Sequence, residues 1–218
     1  RGAVVLVDEY DKPLLDVLER DPELLDRNRD ILKAFYSVFK QADASLRFVF
    51  LTGVTKFSQV SVFSGFNQPK DISMFDKYEA LCGITEEELY TQFAEPIREM
   101  AESDGCSEEE IRLRLKRHYD GYHFSKNMAD IYNPFSLLNA FDSKDIRDYW
   151  FTSGTPSYLI RLMNHFHEGI DELTNKYYLP DEFINYKADV EYPLPMIYQS
   201  GYLTIKDYDK DSNLFLLD

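Results

Sequence analysis

The chain has 218 residues, of which 44% are hydrophobic, so it is long and apolar enough to build a core and is not a disordered segment. Its net charge of −15, from 24 basic and 39 acidic residues, argues against broad binding to a phosphate backbone, which needs clustered cations. No apolar run reaches the roughly 20 residues of a membrane-spanning helix, so no membrane contact is predicted. Two cysteines without metal-ligand spacing and no signal-peptide pattern indicate a cytoplasmic location.

The first predicted element is an apolar strand that ends in acids. Val4–Val7 contains three β-branched valines and is typical of a strand buried on both faces, as in a parallel sheet. Asp8 and Glu9 follow it, and because an unpaired carboxylate is costly in an apolar interior, a cation is expected at this strand tip. In P-loop nucleotidases that cation is Mg²⁺ on a triphosphate, and the pattern is called Walker B. The alternative is that the acids open the next helix, where its dipole favours them.

A strand, a helical crossover and a second strand are predicted next. One helix begins at Leu14 after Lys12-Pro13, and a second helix has an apolar face at i, i+3, i+4 and i+7, formed by Leu32, Phe35, Tyr36 and Phe39. The second strand is Phe48–Leu51, followed by Thr52 and Gly53. A βαβ unit requires parallel strands, so Asp8, Glu9 and Thr52 are expected at neighbouring carboxyl ends, where open α/β sheets bind ligands.

The character of the chain changes near residue 84, after a short strand predicted near Ala80–Cys82. Four helix starts are predicted from cap residues: Thr85 with Glu88, Ser107 with Glu110, Asn133-Pro134 and Thr155-Pro156. The alternating stretch 202–208 and its return at 214–217 predict a hairpin. We therefore predict two domains, 1–84 and 85–218. The fold class is α/β: part of a P-loop NTPase parallel sheet, then a mainly helical, winged-helix-like region that ends in a β-hairpin.

Segments along nearly the whole chain resemble one known family in sequence and in order. They are VVLVDEYDKPLLD, FLTGVTKFSQVSVFSGFNQPKDIS, LCGITEEEL, HYDGYHF, IYNPFSLLNAF, YWFTSGTPSYLI and YQSGYLTIKDYD. The chain resembles the predicted AAA-ATPase-like family, the P-loop ATPases of Bacteroides-type bacteria and other anaerobes. The resemblance implies a P-loop core followed by a helical, winged-helix-like region, and many members carry a PD-(D/E)XK nuclease domain farther on.

The resemblance also implies roles for residues at the predicted strand tips. Asp8 matches the acid that holds Mg²⁺, Glu9 the acid that activates water, and Thr52 a sensor of the γ-phosphate. However, no G-x-x-x-x-G-K-[ST] occurs, so the chain lacks the Walker A loop that cradles phosphates. The chain also begins at Arg1 without a methionine, directly before a strand. We therefore expect a fragment that is inactive and holds no cofactor, from a longer ATPase that binds Mg²⁺ and ATP.

Four other hypotheses are considered for these and further residues. Asp8, Glu9 and Asp11 are the metal acids of a nuclease in one hypothesis, but Phe48–Leu51 lacks the E-x-K element that such a fold needs. In another, the chain is a non-catalytic, winged-helix-bearing adaptor that binds protein or DNA, with a candidate basic patch at residues 112–117. A stacking surface for bases is a further hypothesis for the aromatic residues of HYDGYHF, but buried aromatic packing between the domains is favoured over it. His165 and His167, two apart on a predicted helix, point in different directions and cannot share a metal.

Overall fold

The computed structural model describes residues 2–18, 20–56, 61–63, 69–149, 170–185 and 193–218. The N-terminal elements are strand β1 (Ala3–Val7), helix α1 (Lys12–Leu15), helix α2 (Pro22–Gln41) and strand β2 (Leu46–Leu51). β1 and β2 pair in parallel, with Val4 opposite Phe48 and Val7 opposite Leu51. The predicted parallel pair is thus confirmed, and this pairing sets the geometry of the candidate site.

The β1–β2 pair is less buried than its sequence predicts. The side chains of Val4, Leu6 and Phe48 are 56%, 70% and 54% exposed. Since side chains alternate along a strand and Val4 pairs with Phe48, these three side chains lie on one face of the sheet. These residues are largely exposed, so the prediction of burial on both faces is wrong for this strand.

Helix α2 begins at a standard cap and buries only part of its apolar surface. Asp21 accepts a hydrogen bond from the N–H of Leu24 at 2.9 Å, and Pro22 occupies the first helical position. Tyr36 and Phe39 are buried as predicted. Phe35, which the spacing predicts on the same face, is 51% exposed. The buried face is therefore rotated toward Tyr36 and Phe39, and their rings pack edge to face at 5.7 Å.

The helical region begins after Gly83. Its elements are β3 (Ile84–Thr85), α3 (Glu86–Gln92), α4 (Ala94–Asp104), α5 (Glu108–Tyr119), β4 (Ile131–Tyr132) and α6 (Pro134–Ser143). β3 and β4 pair in antiparallel orientation. A Cβ on Gly83 would lie 1.7 Å from Cγ2 of Ile131, so the close approach of the two short strands requires glycine there.

The predicted caps are found wherever the structure describes them. Thr85 and Glu88 form a full capping box, Ser107 accepts from the N–H of Glu110, and Asn133 accepts from the N–H of Ser136. Thr155-Pro156 lies outside the described residues. The helices enclose a core formed by Leu89, Ile97, Met100, Ala101, Ile111, Leu115, Tyr119, Tyr132, Leu137 and Ala140. The strand predicted at Ala80–Cys82 is wrong, because those residues form turns and the strand begins at Ile84.

The C-terminal elements are strand β5 (Lys176–Tyr178), helix α7 (Pro180–Phe183), helix α8 (Leu194–Gln199), strand β6 (Ile205–Asp209) and strand β7 (Leu214–Leu217). β6 and β7 form the predicted antiparallel hairpin, and β7 lies between β5 and β6. Thr204 and Asp218 exchange backbone hydrogen bonds at 2.8 and 3.1 Å, which closes the open end of the hairpin. The winged-helix-like arrangement stays a prediction.

The chain divides into two compact units. The first comprises the described residues within Arg1–Asp71, Ser157–Leu173 and Tyr178–Leu203, and the second those within Ile72–Pro156, Thr174–Tyr177 and Thr204–Asp218. The predicted domains 1–84 and 85–218 stay a prediction. Across the residues that the structure describes, no helix is both long and apolar enough to cross a membrane.

Candidate functional site

The candidate site forms where the two parallel strands end. The N–H of Thr52 donates to the carbonyl of Val7 at 2.8 Å, and the N–H of Tyr10 donates to the carbonyl of Thr52 at 2.9 Å. Thr52 thus bonds to residues on both sides of Asp8 and Glu9. These two acids lie at the carboxyl end of β1 beside Thr52, as the βαβ prediction requires.

Glu9 has an unusual backbone conformation. Its φ of 52° lies in the left-handed region, which costs roughly 1 to 2 kcal/mol for a residue with a side chain. Two hydrogen bonds hold this conformation. The N–H of Glu9 donates to Oδ1 of Asp8 at 3.1 Å, and the carbonyl of Glu9 accepts from the backbone N–H of Lys12 at 3.0 Å. Strained backbone that the surroundings enforce is a feature of functional sites. Both Asp8 and Glu9 are exposed to solvent.

Asp8 has one oxygen occupied and one open. Oδ1 accepts from the hydroxyl of Thr52 and from the N–H of Glu9. Among the described residues no hydrogen bond to Oδ2 is found. Carboxylate and hydroxyl oxygens suit Mg²⁺, which is commonly bound through one or two carboxylates and completed by water and substrate phosphates. The donor set therefore fits a Mg²⁺ ion, with Oδ1 oriented by hydrogen bonds as metal-binding carboxylates usually are.

Asp11 has a different environment from its two acidic neighbours. Its side chain is fully buried, and it accepts from the N–H of Val54 at 3.2 Å, the N–H of Thr55 at 2.6 Å and the hydroxyl of Thr55 at 2.9 Å. Both carboxylate oxygens are used by these donors. Asp11 therefore does not join Asp8 and Glu9 around a metal, and the three-acid nuclease hypothesis loses one of its ligands.

Gly53 allows the two chain segments to approach closely. A Cβ at this position would lie 2.6 Å from Cε1 of Tyr10 and 2.7 Å from Oδ1 of Asp11, so any larger residue would push the segments apart. The hydroxyl of Tyr10 donates to the carbonyl of Thr55 at 2.8 Å. The sequence shows Gly53 directly after a strand. What the sequence did not reveal is that Tyr10 and Asp11 fill the space that glycine leaves.

The negative charge of Asp11 also acts on its buried surroundings. Burial, and then the charge of Asp11, raise the pKa of Tyr36 above its ordinary value. The ring of Tyr36 packs on Phe63 at 5.1 Å, and Phe63 packs on Tyr10 at the same distance. The carboxylate of Asp11 is therefore held by hydrogen-bond donors of the loop after β2 and is close enough to this aromatic cluster for its charge to act on Tyr36.

The other sequence candidates lie elsewhere. Cys82 and Cys106 are free thiols, and His165 and His167 lie outside the described residues. His123 contacts Oδ1 of Asp130 and the carbonyl of Ile205 through its two ring nitrogens at 2.9 and 2.5 Å. Among residues that the structure describes, no group of three or more His, Cys, Asp or Glu side chains is arranged to hold a metal.

One residue of the motif HYDGYHF, Tyr119, belongs to the core of the helical unit, and the predicted packing of this motif between domains stays a prediction. Tyr119 is buried, and its hydroxyl donates to the carbonyl of Arg147 at 2.8 Å. The side chain of Asp120 is only 4% exposed and lies 3.7 Å from Nζ of Lys116. Desolvation, and then the charge of Asp130, raise the pKa of Asp120. These contacts hold the segment between α5 and β4.

Comparison with known proteins finds a family similarity in the N-terminal part of the chain. The family model described as Predicted AAA-ATPase matches residues 1–63, which include both strand tips. The chain is also 42% identical over 205 residues to a protein of Azotobacter chroococcum mcd 1 described as "Uncharacterized protein in vnfD 5'region". That match covers 93% of this chain and 37% of the relative, so the chain spans about a third of the curated relative's length. No solved structure matches.

Proposed function

We propose that the chain is part of a P-loop ATPase in which Asp8 holds Mg²⁺, Glu9 activates the attacking water and Thr52 contacts the γ-phosphate. The observation that carries the proposal is the hydrogen bond between the Thr52 hydroxyl and Oδ1 of Asp8 at the ends of two adjacent parallel strands, where no described residue donates to Oδ2. Both residues lie within the stretch that the predicted AAA-ATPase family model matches. ATP-binding residues in such sheets lie at this edge.

Each side chain has a distinct task in the proposal. Oδ1 of Asp8 is fixed by Thr52 and by the N–H of Glu9, which leaves Oδ2 free for the metal. Mg²⁺, when bound, neutralises charge on the transferred phosphoryl group. Glu9 is exposed, so its carboxylate can accept a proton from water, and its left-handed backbone sets the direction in which the side chain leaves the strand tip.

The 218 residues supply only part of such a site. They contain no G-x-x-x-x-G-K-[ST], so they offer no phosphate-binding loop and no lysine for the phosphates. We therefore assign hydrolysis to a longer protein that contains this loop. The chain by itself is expected to retain neither Mg²⁺ nor ATP and to be inactive, because Mg²⁺ on one carboxylate is normally shared with substrate phosphates.

The proposal also covers partners and location. We assign to residues 85–218 a winged-helix-like role in contacting a protein or DNA partner, alone or with a nuclease domain farther along the chain, in the cytoplasm. The β6–β7 hairpin supports this part of the proposal because a hairpin next to helices is the element that forms a wing.

Two substitutions in the longer protein separate the assigned roles. Glu9→Gln keeps the shape of the side chain but removes the base, so nucleotide affinity should persist while ATP hydrolysis slows by on the order of 10²- to 10⁴-fold. Asp8→Ala removes the metal-holding carboxylate, so Mg²⁺-dependent nucleotide binding should weaken. Steady-state turnover and equilibrium titration with ATP measure the two effects.

Glu23→Gln is the matched control, since Glu23 is an exposed glutamate in the first turn of α2. It should leave turnover and affinity unchanged. Wild-type hydrolysis by Glu9→Gln would show that Glu9 is not the base. If the wild-type longer protein itself neither binds nor hydrolyses ATP, the adaptor hypothesis replaces the ATPase.

A further inference from the structure

The loop that follows β2, residues 53–56, is held from two sides. On one side Asp11 accepts from the N–H groups of Val54 and Thr55 at 3.2 and 2.6 Å. On the other side Oε1 of Gln199, the last residue of α8, accepts from the N–H of Lys56 at 2.6 Å. Three consecutive backbone donors of this β2 loop therefore end on side chains that lie far away in the sequence.

Gln199 is suited to this position because its amide group both accepts and donates. While Oε1 accepts from Lys56, Nε2 donates to the carbonyls of Phe183 and Ile184 at 3.3 and 2.5 Å. The side chain thus joins the β2 loop to the end of α7, within the first compact unit. A carboxylate would repel the two carbonyls, and an apolar side chain would leave all three backbone groups without this partner.

The β2 loop begins one residue after Thr52. A Cβ on Gly53 would lie 2.6 Å from Cε1 of Tyr10 and 2.7 Å from Oδ1 of Asp11, so the backbone between Thr52 and Val54 lies close to both residues. Thr52 in turn donates its hydroxyl to Oδ1 of Asp8. Hydrogen bonds at the two ends and the backbone of residues 52–56 between them thus connect Gln199 to Asp8.

We propose that Asp11 and Gln199 are positioning residues that fix the β2 loop and thereby keep the Thr52 hydroxyl on Asp8. Through Gln199, the position of α8 affects the ends of β1 and β2. A movement of α8 that withdraws the Gln199 amide would release the N–H of Lys56 and loosen the β2 loop. The use of this arrangement for a metal–nucleotide site rests on the proposed function. The positioning itself is a property of the fold.

The test follows individual backbone amides in the complete 218-residue chain by NMR. In Asp11→Asn a carboxamide NH₂ faces a backbone N–H, and in Gln199→Ala the N–H of Lys56 loses its acceptor. We expect hydrogen exchange at residues 54–56 to accelerate by about 10- to 100-fold, since each loss corresponds to one buried hydrogen bond. The amide shifts of Thr52 and Asp8 should move as well.

Two controls make the same chemical changes on the surface of the same unit. Asp16→Asn changes an exposed aspartate whose carboxylate pairs with Lys12, and Gln41→Ala changes the exposed last residue of α2. Both should leave exchange at residues 54–56 unchanged. If Asp11→Asn fails to fold, Gln199→Ala decides, because it removes no buried charge. A folded Gln199→Ala with wild-type exchange at the loop and unmoved Thr52 and Asp8 signals overturns the proposal.

A paramagnetic ion distinguishes positioning from a general structural role. Mn²⁺ at millimolar concentration should broaden the amide signals of Asp8 and Glu9 in the wild-type chain, because even a weak oxygen site brings the ion close. Gln199→Ala should reduce this broadening in addition to lowering the urea midpoint, whereas the loss of a residue that only stabilises the fold would lower the midpoint and leave the broadening unchanged. Absence of broadening in the wild type would mean that the ion needs substrate phosphates to stay at Asp8, as the proposed function expects of the isolated chain, and the exchange data then decide the positioning.

Discussion

At the scale of single residues, the strand tip is organised around Glu9. Thr52 bonds to both Val7 and Tyr10, so the chain between them must bulge outward, and Glu9 takes the positive φ that this bulge demands. The sequence indicated that polar residues end both strands. It did not indicate a left-handed glutamate, because glycine or asparagine is the residue that normally signals this conformation.

Replacing Glu9 by glycine should therefore stabilise the chain. Glycine adopts φ near 52° without steric cost, so we expect the free energy of unfolding to rise by about 0.5 to 1 kcal/mol, after the larger entropy of glycine in the unfolded chain is included. Urea denaturation followed by circular dichroism measures the change. Glu102→Gly, at an exposed position within α4, is the control and should lose about 1 kcal/mol. Equal losses in both variants would show that the backbone of Glu9 is unstrained.

Asp11 shows why the adjacency of acids is an incomplete guide to a site. The sequence places Asp8, Glu9 and Asp11 within four positions, which suggested a shared cation. The fold gives them opposite environments, since Asp8 and Glu9 are exposed while Asp11 is buried on the donors of a loop some 40 residues away. The pairing of β1 with β2 brings that loop close to Asp11. No pattern in the sequence around Asp11 indicates that its side chain will meet these donors.

At the scale of elements, the features that depend on local chemistry were predicted well. The caps at Thr85, Ser107 and Asn133 each bond within three residues, so the sequence contains nearly all the information that they need. The lengths of short elements were predicted poorly. The helix expected from Leu14 ends at Leu15, and the strand expected at Ala80–Cys82 is displaced to Ile84–Thr85, where tertiary pairing with β4 decides the boundary.

The capping box at Thr85 offers a test of local stabilisation. The Thr85 hydroxyl oxygen accepts from the N–H of Glu88 at 3.2 Å, and Oε2 of Glu88 accepts from the N–H of Thr85 at 2.9 Å. Thr85→Ala should lower the free energy of unfolding by about 1 kcal/mol, because the helix loses the acceptor for one of its first N–H groups. Thr85→Ser keeps the hydroxyl and should retain most of the stability in the same urea experiment. Equal losses in the two variants would mean that packing of the Thr85 methyl group, rather than the cap, is what matters.

At the scale of the whole molecule, each compact unit draws on separate stretches of the chain. Residues near position 199 belong with the N-terminal strands, while the terminal hairpin belongs with the helical unit. From the sequence, the fact that distant stretches of chain belong to one compact unit can be inferred only where those stretches contain motifs of a known family. YQSGY was recognised as part of a family resemblance, but its contact with the β2 loop through Gln199 became visible only in three dimensions.

The charge distribution bears on the proposed DNA partner. The basic run of α5 is largely neutralised by carboxylates of the same unit: Arg112 contacts Glu108 and Glu109, Arg114 contacts Asp104, and Lys116 contacts Glu86. A protein that binds a phosphate backbone must instead offer its cations to the phosphates, and the net charge of −15 adds long-range repulsion. The surface of α5 is therefore poorly suited to duplex DNA.

We expect the chain to show no binding to duplex DNA up to about 10 µM at physiological salt, since ordinary non-specific affinities already lie near 10⁻⁴ to 10⁻⁶ M for proteins with free cations. Fluorescence anisotropy of a labelled duplex measures this directly. Asp104→Asn releases Arg114 from its ion pair and should strengthen DNA binding slightly at low salt. Such a gain would show that the cations of α5 attract DNA once their carboxylate partners are removed. Submicromolar binding by the wild-type chain would contradict the prediction. In that case Arg114→Glu would show whether α5 carries the affinity, because reversing a charge at the binding surface should weaken DNA binding strongly, whereas the same change away from that surface should have little effect.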